Sequence, residues 1–292
     1  MMMLRTTARV SSNYVGSAHG PVVQAGVIHG GVHLDVAGAS RPRPVARLIS
    51  EWTARDLGVH ASIVVGDEEP TGLPRYVVRR HDEVVRGLLG RCADESLMVV
   101  LVGGSAVGKT RTAYEALLAC DQVRSWPVLV PDGPAQLRDV LADGVPARHV
   151  LWLNDVSSRF LDSNHGADLA EGLTSVLRAG GPVLILTDLW TSHLRALNDN
   201  RPTVGTASSA QVEHLLELPQ VELVAVPDDF AEANEAEQAR LRDCARQDER
   251  LALAVHLAQA EKKITQLLAG GPQLLRQYTK GGYTDTATPL PS

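Results

Sequence analysis

Aromatic residues and positive charge are both scarce in this chain of 292 residues. Aromatic side chains make up 4% of it, which is too few for the stacking platforms that bind single-stranded nucleic acid. The formal net charge is -6 and the isoelectric point about 5.9, so no overall basic field attracts nucleic acid or an anionic membrane surface. We therefore expect no nucleic-acid partner.

Cysteine and long apolar stretches are scarce as well. The three cysteines lie too far apart in sequence to form a metal-binding pair or a disulfide framework; they are Cys92, Cys120 and Cys244. A reducing cytoplasm is the simplest setting for such a chain. The first ten residues are not followed by the apolar region of a signal peptide, and no stretch reaches the length of a membrane span. The sequence predicts a cytoplasmic protein without a membrane span.

What the sequence does contain is a complete phosphate-binding loop. An unbroken apolar run at 97–102 predicts a strand buried on both faces, as in a parallel sheet, and apolar periodicity at 111–120 predicts a helix. The residues between them match the pattern G-x-x-x-x-G-K-[ST] at every position. They are Gly103, Gly104, Ser105, Ala106, Val107, Gly108, Lys109 and Thr110. The order of strand, loop and helix disfavours a chance glycine-rich turn.

This loop predicts a nucleotide site with assigned roles. Backbone N–H groups of such a loop converge on phosphate oxygens, and the helix N-terminus adds partial positive charge. The Lys109 side chain is expected to reach the β- and γ-phosphates, and the Thr110 hydroxyl to bind Mg²⁺. Arg111, the first residue of the predicted helix, is also expected to belong to the nucleotide-binding residues. The loop leaves ATP and GTP both open, because it contacts phosphates that the two nucleotides share.

A second polar position follows the apolar strand predicted at 149–153. Asp155 fits a carboxylate that ends a strand and either holds Mg²⁺ or polarises water; alternatively it caps the next turn. Hydrolytic proteins often carry a second acid there, and this chain has Asn154 instead. We therefore expect slow hydrolysis, at or below ~1 s⁻¹. Replacing Asn154 with Asp is expected to raise the rate if the missing carboxylate limits it.

Further apolar runs predict strands at 126–130, 183–186 and 221–226, with helices between them. Thr187 and Asp188 end the second of these strands, and a polar residue there can sense the γ-phosphate. Thr187 is the better candidate and Asp188 the weaker one, unless both only satisfy backbone groups. Strands that alternate with helices predict a three-layer α/β fold with a parallel sheet. A short helix is predicted at 46–57.

The N-terminal segment differs from the rest of the chain. Residues 10–34 contain no Asp, Glu, Lys or Arg, and the part at 22–34 is β-prone and punctuated by glycine. Short segments of this kind can stack between identical chains as cross-β structure; a disordered tail or an edge strand is the alternative. Proline, glycine and arginine at 35–45 are typical of a linker, so residues 1–45 are predicted to be a flexible, disordered segment.

From residue 57 to residue 278 the chain resembles the bacterial STAND-class P-loop NTPases, which are NLR-like signalling ATPases. The resemblance rests on the P-loop, on 151–155, on 186–190 and on Gly270-Gly271-Pro272. It implies ATP and Mg²⁺ as cofactors and places Pro272 near the nucleotide. It also makes 76–78 a candidate for contact with the adenine, and a plain connector is the alternative for this segment. Gly271 and Pro272 also fit a simple helix stop. Asn154 and the short C-terminus depart from the family, whose members usually continue into a repeat sensor.

The N-terminal segment resembles the bacterial amyloid-signalling motifs that are related to the RHIM. Their core is an apolar-Gln-apolar-Gly tetrad, which is Val23-Gln24-Ala25-Gly26 here. Such motifs usually lie ahead of a nucleotide-binding module. The resemblance implies self-association and an effector protein that carries a matching motif.

These observations predict four parts: a segment at 1–45, a P-loop domain at 46–227, a helical subdomain at 228–280 and a tail at 281–292. The favoured function is an ATP-binding switch whose oligomerisation clusters the N-terminal motif, in bacterial defence or regulated cell death. A small-molecule kinase or phosphotransferase is the first alternative, with His81, Asp188 and Arg195 as polar candidates. A nucleotide-stabilised adaptor without turnover is the second.

Overall fold

The computed structural model describes residues 43–60, 62–63, 72–156, 160–161, 165–198, 209–228, 230, 233–258 and 263–269. They all belong to one of the two units into which contacts divide the chain, Arg43–Ser292. The predicted amyloid motif at 22–34, the Pro272 element and the tail at 281–292 lie outside the described residues. The domain boundaries at 45/46 and 227/228 stay predictions.

A six-stranded sheet forms the centre of the described part, in the order β1-β3-β4-β5-β2-β6. The strands are β1 (Arg47–Leu48), β2 (Leu97–Gly103), β3 (Pro127–Leu129), β4 (Val150–Leu153), β5 (Leu184–Trp190) and β6 (Val221–Ala225). All neighbours from β3 to β6 are parallel, and only β1 pairs antiparallel, with β3. The strand before the P-loop therefore lies between β5 and β6.

Helices follow the strands along the chain. They are α1 (Arg80–Arg91), α2 (Lys109–Ala119), α3 (Pro134–Asp143), α4 (Gly166–Arg178), α5 (Thr191–Asn198), α6 (Ser209–Leu216), α7 (Glu235–Ala245), α8 (Glu249–Leu257) and α9 (Ile264–Leu268). Within the described ranges, none of them combines the length and the hydropathy that crossing a bilayer requires. The short helix predicted at 46–57 is instead β1 and a 3₁₀ turn, Ile49–Glu51, because β3 recruits this segment as an edge strand.

The sheet separates two hydrophobic cores, because alternate residues of a strand point to opposite faces. Leu97, Val99 and Leu101 of β2 pack into the core that α1 and α2 cover. Met98 and Val100 pack into the other, under α3, α4 and α6. Every residue of β2 is buried, as expected for a strand with parallel neighbours on both sides and helices on both faces. The predicted three-layer α/β fold with a mostly parallel sheet is confirmed.

A third, smaller core lies among α7, α8 and α9. Phe230, Leu241, Leu251 and Ile264 belong to it, together with Val77 from the segment before α1. The three helices come after the last strand, where the small helical part was expected. Through Val77 this core fixes the extended segment that leads into α1.

Gly58 holds a tight turn against the end of β4. Its φ of +80° is left-handed, and a Cβ there would lie 2.5 Å from Asn154 Nδ2. Both the backbone conformation and the close approach therefore require glycine.

We predict that Gly58→Ala lowers the free energy of unfolding by about 2 kcal/mol, because it adds left-handed strain and a steric clash. Gly87→Ala is the matched control. A Cβ at Gly87, inside α1, would meet nothing within 4 Å, so this change should be neutral or stabilise by about 0.5–1 kcal/mol. Denaturant melts of the two variants check the difference, and equal effects would contradict the described turn.

Candidate nucleotide-binding site

A cavity of about 410 Å³ opens beside the P-loop. Most of the predicted phosphate-site residues line it; they are Ser105, Ala106, Val107, Gly108, Lys109, Thr110 and Arg111. Gly103 and Gly104 do not line the cavity, and their carbonyl oxygens accept hydrogen bonds from Lys109. The structure thus brings the P-loop together around one space, which lies at the carboxyl end of β2.

Lys109 is almost completely buried, with 6% of its surface exposed. Its Nζ donates to the Gly104 carbonyl at 2.7 Å and to the Gly103 carbonyl at 3.2 Å, and lies 3.7 Å from Asp188 Oδ2. Burial lowers the pKa of Lys109, and the carboxylates of Asp188 and Asp155 oppose that shift. The carbonyls and the carboxylate are the partners that a buried ammonium group needs.

Two carboxylates face this lysine from neighbouring strand ends. Asp155 and Asp188 both line the cavity, and the Asp155 N–H donates to Asp188 Oδ1 at 2.7 Å. Burial raises the pKa of Asp188, while the Asp155 N–H and the Lys109 ammonium act in the opposite direction. The pair concentrates negative charge where the phosphates of a nucleotide would approach Lys109.

The residues at this end of the cavity fit Mg²⁺. The ion usually takes one or two carboxylates, keeps several waters and shares the phosphates of its nucleotide. Thr110 and Asp155, the two ligands that the sequence predicts, line the same cavity and would hold the ion. When bound, Mg²⁺ would neutralise the charge that develops on the phosphates.

Thr187 does not reach the cavity, and its assignment as the γ-phosphate sensor is corrected. Its Oγ1 donates to the Leu153 carbonyl at 2.8 Å, and the residue is 4% exposed. Leu184 and Leu186 of the same strand face α1 and α2, so the alternation of β5 points Asp188 to the P-loop side and Thr187 away from it. Asp188, the weaker of the two candidates from sequence, is thus the one that lines the cavity.

Asn154 is also used differently from expectation. Its Oδ1 accepts from Trp152 Nε1 at 2.9 Å, and its Nδ2 donates to the Leu57 carbonyl at 2.8 Å. The side chain therefore joins the end of β4 to the turn before Gly58. A structural link of this kind requires a donor and an acceptor on one group, which an amide has and a carboxylate lacks.

We predict that Asn154→Asp lowers the free energy of unfolding by about 1–3 kcal/mol, because a carboxylate would face the Leu57 carbonyl without a donor. This replaces the expectation of faster hydrolysis. The control is Asn234→Asp at the start of α7, where Oδ1 only accepts from the Glu237 N–H, so the effect should stay near zero. Thermal melts and phosphate-release rates check it. A stable Asn154→Asp variant with faster turnover would restore the original expectation.

The far end of the cavity is apolar. Of the segment predicted to contact adenine, Tyr76 and Val77 line the cavity and Val78 does not. Leu251, Ile264 and Leu268 pack in the same small core as Val77 and also line the cavity. Val59 and Leu73 add further apolar lining. The Tyr76 hydroxyl donates to Asp82 and lies 2.9 Å from Thr112 Oγ1, which ties the segment to α1 and α2.

Helices α7 and α8 hold the other side of this segment through its backbone. The Arg75 N–H donates to Asp248 at 2.8 Å, the Arg80 N–H donates to Glu237 at 2.7 Å, and Arg240 Nε donates to the Val78 carbonyl at 2.8 Å. The apolar end of the cavity is therefore built from parts that lie far apart in sequence.

Several residues at or beside the cavity were not predicted. One of them is Asp228, which does not line the cavity but whose Oδ1 accepts from the Gly104 N–H at 3.0 Å. A Cβ on Gly104 would lie 2.7 Å from that oxygen, so this approach needs glycine. The one signal for Asp228 in the sequence was its position just beyond the last strand, because the ends of parallel strands meet at one edge of the sheet. Residues of α8 and α9 carry only helical periodicity.

Comparisons with known proteins complete the description. No family model and no curated protein matches the chain. Solved structures that are similar to this chain include the following three. Hsp104 from S. cerevisiae, in complex with casein, is 14% identical with a TM-score of 0.43, and the match covers 79% of this chain but only 41% of Hsp104.

The other two are more distant. AMPPCP-bound DnaA from Aquifex aeolicus is 12% identical with a TM-score of 0.35, over 74% of this chain and 73% of DnaA. A chain of the E. coli MS115-1 HORMA:CdnC:Trip13 complex is 11% identical with a TM-score of 0.35, over 72% and 84% of the two chains. The chain's own sheet order and P-loop therefore carry the assignment: it has the three-layer α/β fold of P-loop NTPases, followed by a small helical part.

Proposed function

We propose that this protein is an ATP-binding switch of the STAND type that hydrolyses ATP slowly and self-associates when nucleotide is bound. The observation that carries the proposal is the buried Lys109, which faces Asp155 and Asp188 in a cavity that the P-loop lines. A lysine, a hydroxyl and a carboxylate at this point are the parts that P-loop proteins use to bind a nucleotide with Mg²⁺.

The distribution of charge in the cavity favours ATP over GTP. Among the described lining residues the carboxylates are Asp155 and Asp188, and both lie at the Lys109 end. Guanine offers ring N–H and amino donors that a carboxylate would match, and the apolar end around Val77 and Leu251 provides none. Adenine offers one amino donor and one ring acceptor, which the backbone of an extended segment can match.

Contacts between the P-loop and the helical part support a switch. Asp228 accepts from the Gly104 N–H through its side chain, and its own carbonyl accepts from Gln266 Nε2 at 2.8 Å. Gln266 belongs to α9, whose neighbouring residue Thr265 lines the cavity. A nucleotide bound at the P-loop therefore contacts both the P-loop and α9, and it can change how α9 packs against the loop.

The phosphotransferase alternative has weaker support. A kinase needs a base positioned beside an acceptor. His81, one of its candidates, lines the cavity, but only 7% of its surface is exposed and its Nε2 lies 3.3 Å from Thr112 Oγ1. This ring nitrogen therefore already has a partner within the fold.

We predict that Lys109→Ala weakens ATP binding about 100-fold, because it removes charge-assisted hydrogen bonds to the phosphates. The control is Lys263→Ala, an exposed lysine at the start of α9, which should bind ATP like the wild type. Titration calorimetry with ATP, and with GTP in parallel, measures both affinities. Equal affinity of Lys109→Ala and wild type would overturn the proposed site.

The N-terminal motif gives the proposed switch its output. A nucleotide-dependent oligomer would bring several copies of 22–34 together at an effective concentration of ~mM. The segment has no Asp, Glu, Lys or Arg to repel stacked copies, and Gln24 can form a ladder along a fibril. In this proposal the cluster nucleates cross-β structure and recruits an effector with a matching motif.

We predict that a peptide of residues 22–34 forms cross-β fibrils and that the Gln24→Lys peptide does not. The reason is that lysines would stack about 4.8 Å apart along the fibril and repel one another. Thioflavin fluorescence and fibre diffraction decide the matter. A wild-type peptide that remains monomeric at high concentration would remove this output from the proposal while leaving ATP binding intact.

A further inference from the structure

The sheet brings two acids, not one, to the cavity that the P-loop lines. Strands β4 and β5 are parallel neighbours with Leu153 opposite Thr187, so the residues that follow them emerge at the same edge. Asp155 comes from one strand end and Asp188 from the other, and a hydrogen bond of 2.7 Å from the Asp155 N–H to Asp188 Oδ1 joins them. The two carboxylates are therefore available for two different tasks.

Asn154 cannot supply the second acid, because its side chain is a neutral amide, and Trp152 and Leu57 engage both ends of that amide. Asp188 is in a better position. One of its oxygens is fixed by the Asp155 N–H, and the other lies 3.7 Å from Lys109 Nζ, the group that binds the terminal phosphates in a P-loop. The residue is 9% exposed and lines the cavity, so its carboxylate is held rather than free to turn into solvent.

We propose that Asp188, at the end of β5, is the catalytic carboxylate that activates the attacking water, while Asp155 and Thr110 hold Mg²⁺. This inference rests on the proposed ATP-hydrolysing function. The second acid of the site thus follows β5 instead of β4. Asn154, which follows β4, serves as a structural link instead.

The chemical step balances with the residues present and ATP. A water oxygen forms a bond to the γ-phosphorus, and the bond from that phosphorus to the β,γ-bridging oxygen breaks. Its electron pair stays on the β-phosphate of ADP. Asp188 Oδ2 accepts one proton of the water and then returns it to the inorganic phosphate that leaves. No oxidant, reductant or third substrate is required.

The test compares the full-length wild type with Asp188→Asn, which keeps an acceptor for the Asp155 N–H but loses the base. We expect kcat for phosphate release to fall about 100-fold or more, within the usual range for a general base. ATP affinity should equal or exceed that of the wild type, because a negative charge beside the phosphates is removed. Asp139→Asn, on the exposed side of α3, is the matched control and should match the wild type in both measurements.

Asp155→Asn separates the two roles. Its ATP affinity should lose most of its dependence on Mg²⁺, whereas Asp188→Asn should keep that dependence; titrations with and without the ion measure this independently of turnover. Asp188→Ser, a smaller side chain, serves as a second variant should the amide disturb folding, and the same loss of kcat is expected.

Two results would overturn the inference. One is a folded Asp188 variant that binds ATP and releases phosphate at the wild-type rate. The other is a wild-type protein that binds ATP without measurable phosphate release, which leaves the proposed nucleotide binding intact. Failure of the wild type to bind ATP at all would instead overturn the proposed function.

Discussion

The site depends on the contacts that hold the buried ammonium group of Lys109. A charge taken out of water is stable only if polar groups surround it, and here two P-loop carbonyls and Asp188 do so. Those partners exist because β2 and β5 are adjacent parallel strands whose ends meet at one edge. Nucleotide phosphates would replace these partners with stronger ones.

Each strand end near Lys109 has a separate task. The end of β4 contributes Asn154 as a link to the N-terminal turn and Asp155 to the cavity. The end of β5 contributes Asp188, and the stretch after β6 contributes Asp228, which holds the outer side of the P-loop. The helical part then closes the apolar end through Leu251 and α9. The P-loop, the proposed catalytic base Asp188 and the helical part thus belong to one connected set of contacts. A switch that nucleotide controls requires such a connection.

Local patterns were sufficient for the fold and for the core of the site. The apolar run of β2, the P-loop and the periodicity of α2 depend on neighbours in sequence, so they could be predicted. Long-range contacts account for what was missed. Asn154 bonds to a carbonyl 97 positions earlier, and β1 forms only because β3 offers it an edge. The choice between Thr187 and Asp188 depends on which face of β5 meets the P-loop helix, and one sequence does not reveal that register.

The most direct test of the account is a structure of the protein with Mg²⁺ and a non-hydrolysable ATP analogue. In that structure Lys109 Nζ is expected to leave the carbonyls of Gly103 and Gly104 for the β- and γ-phosphates, and the adenine ring is expected to lie beside Val77. A nucleotide bound elsewhere, with Lys109 still on the two carbonyls, would contradict it.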